Sequence, residues 1–118
     1  MKEVMAIIRP DKLPETKAAL TKMGVLGLTI MSAEGRGKQK GQEGAHKAAG
    51  GMRIYQSRVF VQKVLLTVVV KDTEADQVIR KIMSVNRTGE AGDGKIIVCL
   101  VDECIRIRTG ETGVAAIS

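Results

Sequence analysis

The chain has 118 residues, of which 44% are hydrophobic, and such a length supports one domain with a modest core. Its formal net charge of +6 lies in residues 36–63, which hold seven Lys or Arg and one acidic residue. The remainder holds 12 basic and 12 acidic residues. This pattern indicates a neutral body with one cationic arm rather than a uniformly basic nucleic-acid binder. The apolar stretch at residues 64–70 is too short to span a bilayer, and the five apolar residues at 4–8 are too few for a signal peptide, so we expect a cytoplasmic protein.

The apolar periodicity predicts four strands and two helices in the order βαβ, long loop, βαβ. Pro10 ends the first strand, Asp11 is placed to cap the first helix, and Gly24 is expected to end it. Ile105 and Ile107 are candidates for an extension of the last strand. The predicted strands are residues 4–8, 28–34, 59–70 and 95–102, and the predicted helices are residues 12–23 and 73–87.

This order is that of a split βαβ duplicate. The predicted fold class is therefore α+β, a ferredoxin-like βαβ-βαβ sandwich with a long loop between strands 2 and 3. The two helices would cover one face of the sheet. Because residues 64–70 of the third strand are apolar on both alternations, the other face must also be covered, and a homo-oligomer is the natural arrangement.

The segment of residues 35–58 differs from the rest in composition. It contains six glycines, few aliphatic residues and many cations. A loop of this length in a compact domain is normally functional or disordered. From the residues alone, a solvated disordered stretch and a partner-docking segment are both open.

Three short segments combine glycines with cations beside predicted strands. They are residues 35–41, 88–95 and 106–111. Glycines let the backbone approach a ligand and present its N–H groups, while Lys and Arg supply positive charge and Arg can bind two phosphate oxygens at once. The sequence therefore predicts a polyphosphate site assembled from separate pieces.

The remaining polar residues form no catalytic pattern. Cys99 and Cys104 lack zinc or redox spacing and are expected to be small buried hydrophobic residues, and His46, the sole histidine, is expected to be solvated. Glu90 and Asp93 flank glycines without a nucleophile or base nearby, so we expect them to stabilise turns. No Walker segment is present, and the sequence predicts a protein that is not an enzyme.

The chain resembles the PII family of nitrogen-regulatory signalling proteins over nearly its whole length. The resemblance rests on Ala-Ile-Ile-Arg-Pro at residues 6–10, on residues 35–41, on Thr-Gly-x-x-Gly-Asp-Gly-Lys-Ile at 88–96 and on Arg-Ile-Arg-Thr-Gly-Glu at 106–111. Each motif alone is weak, but all four in this order are highly specific. The resemblance implies one PII-like domain over residues 1–118, a flexible effector loop at about 37–59 and assembly as a homotrimer.

The resemblance also implies a nucleotide site for ATP or ADP in the clefts between subunits. Thr29 stands at the adenine-contact position, and the glycines and cations would surround the phosphates. The implied set is Thr29, Gly35, Gly37, Lys38, Gln39, Gly92, Gly94, Lys95, Arg106 and Arg108.

A second implied ligand is 2-oxoglutarate, bound through Mg²⁺ beside ATP. Gln39 would ligate the metal, whose preference for oxygen suits an amide carbonyl, phosphates and an oxo-acid. Lys63 would pair with the 2-oxoglutarate carboxylate. The implied set is Gln39, Lys40, Gly41 and Lys63.

The implied role is a nitrogen-status sensor that controls a target protein through its loop. The sequence of residues 35–41 is similar to that of the nitrogenase-associated branch. Tyr55 lacks the surrounding motif of the loop tyrosine that is uridylylated in better-known members. Nitrogenase is therefore the expected target, with an ammonium channel or a nitrogen-assimilation enzyme as alternatives, and a paralogous subunit in the trimer is left open. A ferredoxin-like RNA-binding module is disfavoured, because Tyr55 and Phe60 are the only aromatic residues.

Overall fold

The computed structural model describes residues 1–37 and 60–118, together with the backbone of two short strands at 46–47 and 53–54. This part of the chain contains six strands and two helices. They are β1 (Lys2–Ile8), α1 (Leu13–Lys22), β2 (Thr29–Gly35), β3 (His46–Lys47), β4 (Arg53–Ile54), β5 (Val61–Val70), α2 (Asp72–Asn86) and β6 (Lys95–Leu100), with 3-10 turns at Pro10–Lys12 and Gly113–Ile117.

Four of the strands form one sheet in the order β2-β5-β1-β6, and all neighbours are antiparallel. Each half of the chain supplies one inner and one outer strand, joined through a helix. This arrangement confirms the predicted α+β ferredoxin-like sandwich. The remaining pair, β3 and β4, forms a separate two-stranded ladder within the segment predicted to be a long loop.

The core lies between this sheet and the two helices. Alternate residues of β1 and β5 are buried against the helices, as expected for a half-covered antiparallel sheet. The core residues exposed by 2% or less are Val4, Ala6, Ile8, Leu20, Leu66, Ala75, Val78 and Ile82.

A buried polar pair joins the two helices inside this core. The Nδ2 of Asn86 donates to the Thr16 hydroxyl at 3.0 Å and to the Ile82 carbonyl at 2.9 Å, and Thr16 donates to the Lys12 carbonyl at 2.7 Å. Asn86 and Thr16 are 5% and 0% exposed. The pair therefore fixes the ends of α1 and α2 relative to each other, because a buried amide is costly without partners.

The opposite face of the sheet is apolar in its middle rows and is not covered by the chain's own helices. Register places Met5 beside Ile97 and Ile7 beside Leu65, which pairs in turn with Met31. Met31 is 49% exposed and Ile97 is 42% exposed. This bears out the expectation that the second face is apolar.

Two predicted element boundaries at the N-terminal half are wrong in detail. Pro10 starts a 3-10 turn rather than a simple break, and α1 begins only at Leu13 with Lys12 as its N-cap. Asp11 lies inside the turn and makes no capping hydrogen bond. Gly24 does end α1, with a positive φ of 89° that only glycine adopts without strain.

The C-terminal half also departs from expectation after β6. The strand ends at Leu100, and Ile105 forms an isolated bridge with Thr112 instead of extending it. Ile107 is 99% exposed in the turn between them. Cys99 is exposed and Cys104 is half-buried, so neither is the buried hydrophobic residue that was predicted. Apolar residues at alternate positions occur both in strands and in exposed turns, so the spacing of Ile105 and Ile107 did not distinguish a strand extension from a turn.

Candidate functional site

The predicted ligand residues lie at two opposite ends of the sheet. Antiparallel pairing places the start of β6, the end of β1, the start of β5 and the end of β2 at one end. We call this the loop end, because the long loop leaves the sheet there. The start of β2 and the chain that follows β6 lie at the other end, which we call the tail end.

A glycine-rich turn of residues 88–94 forms the centre of the loop end. The carboxylate of Asp93 accepts hydrogen bonds from the N–H groups of Thr88 at 2.8 Å and Gly89 at 2.9 Å, and from the Thr88 hydroxyl. The Thr88 hydroxyl and N–H, together with the Arg9 guanidinium, hold the pKa of Asp93 well below its usual range. Asp93 is thus charged at neutral pH and closes the turn, which bears out its predicted role as a turn stabiliser.

Arg9 follows β1 directly and binds the same turn from the sheet. Its guanidinium forms an ion pair with Asp93 and donates to the Ala91 carbonyl at 3.1 Å. It also lies 3.4 Å from the Thr88 hydroxyl. The side chain is 20% exposed, so the pair is partly shielded from solvent and stronger than a surface ion pair.

Lys63 approaches the turn from β5, the strand that neighbours β1. Its ammonium donates to the Gly92 carbonyl at 2.6 Å, and the residue is 8% exposed. Burial, and after it the positive charge of Arg9, lower the pKa of Lys63. The carboxylates of Asp93 and Asp11 act in the opposite direction and raise the pKa of Lys63.

Gly94 is required by the packing of the turn on β1. A Cβ at this position would lie 1.7 Å from the Ile7 carbonyl oxygen, and its φ is 100°. Gly35 lies at the same end, where a Cβ would be 3.6 Å from the Lys63 Cγ, an ordinary contact. Gly94 is therefore essential to the close approach, while the need for Gly35 is not steric within this chain.

The tail end holds the other predicted residues. Thr29 lines a cavity together with Cys104 and Ser118. Arg106 is not on the last strand, as predicted, but in the turn that follows it, because β6 ends at Leu100. Its guanidinium pairs with Glu111 at 2.8 Å and donates to the main-chain oxygen of Ser118 at 2.7 Å.

Arg108 stands at the tip of the same turn. It is exposed. The turn is closed by hydrogen bonds from the Gly110 N–H to the Arg106 carbonyl at 2.7 Å and from the Arg106 N–H to the Glu111 carbonyl at 2.9 Å. Arg106 thus shapes the turn, and Arg108 is presented outward by it.

The chain therefore brings together some predicted residues and separates others. Thr29 and Gly35 are at opposite ends of one strand, six residues apart, which is about 20 Å at the usual rise per residue. The loop end gathers Gly35, Gly92, Gly94, Lys95 and Lys63. Gly37 lies at a backbone bend two residues after β2, and Lys38, Gln39, Lys40 and Gly41 lie outside the described residues.

Arg9 is the residue of this site that sequence reasoning missed. It belongs to the Arg-Pro pair that ends the first strand, and it was used only as part of a motif. A cation directly after a buried strand was the available signal. Its distance of 84 positions from Asp93 explains why only the fold connects the two.

Comparison with known proteins assigns the family. The model of the family described as nitrogen regulatory protein P-II matches residues 1–111. The chain belongs to the P-II family. This P-II protein is 43% identical to "Nitrogen regulatory protein P-II" of Microchaete diplosiphon over 99% of this chain and 100% of that one, and 45% identical to the protein of the same name from Rhizobium meliloti over the same shares.

Relatives named for nitrogen fixation match about as well. "Nitrogen fixation nifHD1 region GlnB-like protein 2" of Methanosarcina barkeri is 43% identical over 99% of each chain. These matches confirm nitrogen regulation as the role of the family. Within residues 1–37 and 60–118, no helix is long and apolar enough to cross a membrane, and no three His, Cys, Asp or Glu side chains converge as metal ligands.

The first prediction tests the packing of the turn on β1. Gly94→Ala should lower the free energy of unfolding well beyond the cost of an alanine at positive φ, because its Cβ would force the turn away from Ile7. Gly89→Ala is the matched control: it has a φ of 89° but open space around the Cβ, so it should cost about 1–2 kcal/mol. Urea unfolding of both variants measures the difference, and equal losses would contradict the close approach.

Proposed function

We propose that this P-II protein is a non-enzymatic sensor of nitrogen status that binds ATP or ADP in clefts between the subunits of a homotrimer. The observation that supports it is the division of the predicted nucleotide residues between the loop end and the tail end of the sheet. The two groups are about 20 Å apart within one chain, a separation that favours a site shared between copies. A second copy, seated on the exposed apolar face that carries Met31 and Ile97, would bring its tail end to the first copy's loop end.

The phosphate part of the site would be formed at the loop end. Lys95 begins β6 directly after the glycine-rich turn and is exposed. The backbone around Gly92 and Gly94, with φ values of 103° and 100°, is of the kind that presents N–H groups to anions. Lys38 would add charge from this side, and Arg106 and Arg108 from the partner's tail end.

The proposed effector, 2-oxoglutarate, would bind beside the phosphates at Lys63. Its ammonium is nearly buried and donates to the Gly92 carbonyl, so a carboxylate in the same place would gain a charge-assisted hydrogen bond. Gln39 would hold Mg²⁺ together with oxygens of ATP and 2-oxoglutarate; a site with one protein oxygen suits a cation that keeps phosphate and water ligands. Lys40 and Gly41 would contact the same ligand from the start of the loop.

The output would be carried by the loop of residues 37–59. It holds five Lys or Arg and one acidic residue, so it carries +4 of the net charge of +6, and it lies between β2 and β5, whose Lys63 is in the proposed effector site. Nitrogenase is the first target to test, because relatives that match over nearly the whole chain carry nitrogen-fixation names. An ammonium channel or a nitrogen-assimilation enzyme is the alternative, since general P-II proteins are equally similar.

An RNA-binding role is not favoured by the sheet surface. Ferredoxin-like sheets that bind RNA stack bases on aromatic side chains of the open face. The rows of the open face here carry Met5, Ile7, Leu65, Met31 and Ile97. Phe60 lies just outside β5, and apart from Tyr55 the chain has no other aromatic residue.

The nucleotide proposal predicts complementation between two variants. Lys95→Ala and Arg108→Ala should each weaken ATP binding about tenfold or more, because a charge-assisted contact contributes about 1.5–3 kcal/mol. If one subunit supplies Lys95 and its neighbour Arg108, trimers reassembled from both variants must contain some native sites. Calorimetry should therefore detect a fraction of wild-type sites in the mixture, and two weak variants that stay weak when mixed would place both residues in one subunit's site.

The effector proposal predicts a strict dependence on metal and nucleotide. Wild-type protein should bind 2-oxoglutarate only with ATP and Mg²⁺, and Lys63→Met should abolish this binding at saturating ATP. Lys71→Met, at an exposed position at the far end of β5, is the control. Isothermal titration with and without EDTA makes the measurement. Retention of 2-oxoglutarate binding in EDTA would contradict the metal bridge.

The output proposal predicts that the loop can be removed without loss of the sensor body. Deletion of residues 43–57 should leave the trimer and ATP binding intact and abolish target inhibition, because the described body supplies the sheet and the glycine-rich turn. Since the arm is cationic, raising salt from 0.05 to 0.5 M should slow target association more than it affects nucleotide binding. A loop-deleted protein that still inhibits its target would show that the body carries the output.

A further inference from the structure

Two cations hold three consecutive residues of the glycine-rich turn. Arg9 binds the carbonyl of Ala91 and the carboxylate of Asp93, and Lys63 binds the carbonyl of Gly92. The cations come from neighbouring strands, because Ile8 of β1 pairs with Val64 of β5. The turn is therefore fixed to the sheet through its carbonyl groups.

Fixing these carbonyls also fixes the N–H groups that follow them. In a trans peptide, the C=O of one residue and the N–H of the next point in opposite directions, and none of the peptide bonds described is cis. Because the Ala91 carbonyl is directed at Arg9, the Gly92 N–H points away from Arg9, and because the Gly92 carbonyl is directed at Lys63, the Asp93 N–H points away from Lys63. Neither N–H has a hydrogen-bond acceptor among residues 1–37 and 60–118.

A cation in an anion site usually both orders the backbone and contacts the anion. Here Arg9 orders the backbone only. The Arg9 guanidinium donates to Asp93, to the Ala91 carbonyl and to the Thr88 hydroxyl, all of which lie within the turn. Its planar guanidinium can reach several acceptors at once, which a lysine ammonium at the same place cannot match. Successive free N–H groups in a turn form an anion-binding concavity, and an ordered one binds with less loss of entropy than one that must be ordered by the ligand.

We propose that Arg9 is a positioning residue for the phosphate site: it does not contact the nucleotide but orients the turn so that the Gly92 and Asp93 N–H groups face the phosphates. This inference rests on the proposed nucleotide binding and adds a residue to it. Lys63 holds the Gly92 carbonyl of the same turn. If the Lys63 ammonium moved to a carboxylate ligand, the contacts of Arg9 with Ala91 and Asp93 would still hold the turn.

The test compares Arg9→Gln, Arg9→Lys and the charge-matched control Lys22→Gln, which removes one exposed cation from the end of α1. ATP binding to the full-length protein is measured by calorimetry. Hydrogen exchange of the amides of residues 88–94 is measured without ligand. We expect Arg9→Gln to weaken ATP binding about tenfold or more and to accelerate exchange at Thr88 and Gly89, whose N–H groups are held by Asp93.

The two other variants separate orientation from charge. Arg9→Lys keeps the positive charge but not the fork, so it should recover only part of the affinity, and Lys22→Gln should bind ATP as the wild type does. The Asp93 pKa, followed by carbon-13 NMR of the carboxyl group, should rise in Arg9→Gln, a change that a merely structural loss elsewhere would not produce.

The outcomes distinguish this inference from the proposal on which it rests. Wild-type protein that fails to bind ATP would overturn the nucleotide site itself. Wild-type binding with unchanged affinity in Arg9→Gln would overturn the positioning role alone. Full recovery in Arg9→Lys would also overturn it, because the effect would then be one of charge rather than of orientation.

Discussion

The ion pair between Arg9 and Asp93 is the contact on which the arrangement of the candidate site depends. It joins the end of the first strand to a turn 84 positions later, and Asp93 in turn holds the N–H groups at the start of that turn. The pair is only partly exposed, so it is less screened than a surface pair. Together with the hydrogen bond from Lys63 to the Gly92 carbonyl, the ion pair holds the glycine-rich turn against the sheet.

The sheet decides what this surface can and cannot reach. Antiparallel register places the glycine-rich turn, Gly35 and Lys63 at one end, and Thr29 and the turn of Arg106 at the other. The separation of the two groups is what favours the proposed site between copies. The apolar face around Met31 and Ile97 is exposed, and within residues 1–37 and 60–118 the two helices pack on the other face.

The site also links the proposed ligands to the loop in a direct physical way. Lys63 lies in β5, the strand that follows the loop, and Gly35 ends β2, the strand that precedes it. A ligand that moved Lys63 from the Gly92 carbonyl would act on the turn and on the root of the loop together. Any such coupling is reciprocal: a target that prefers one loop state must alter effector affinity by the same factor.

Much of the fold was determined by the sequence itself. Periodicity alone predicted four main strands, two helices and their order, because alternation in β1 and β5 and the helical spacing of Val78 and Ile82 follow directly from which side is buried. The glycine and cation motifs identified the family, and the role of Asp93 in a turn followed from its flanking glycines. Helix caps were less predictable, since Asp11 is used in a 3-10 turn and not as a cap.

Only the tertiary structure decided which of these residues meet. Arg9 and Asp93 are distant in the chain, and no local rule connects them; the pairing of β1 with β6 brings them together. Thr29 and Gly35 are separated by the length of β2 itself, and Arg106 lies in a turn beyond β6, where periodicity had predicted a strand. Local pattern records which side of an element is buried, whereas contacts between distant residues depend on register, and register is a property of the assembled sheet.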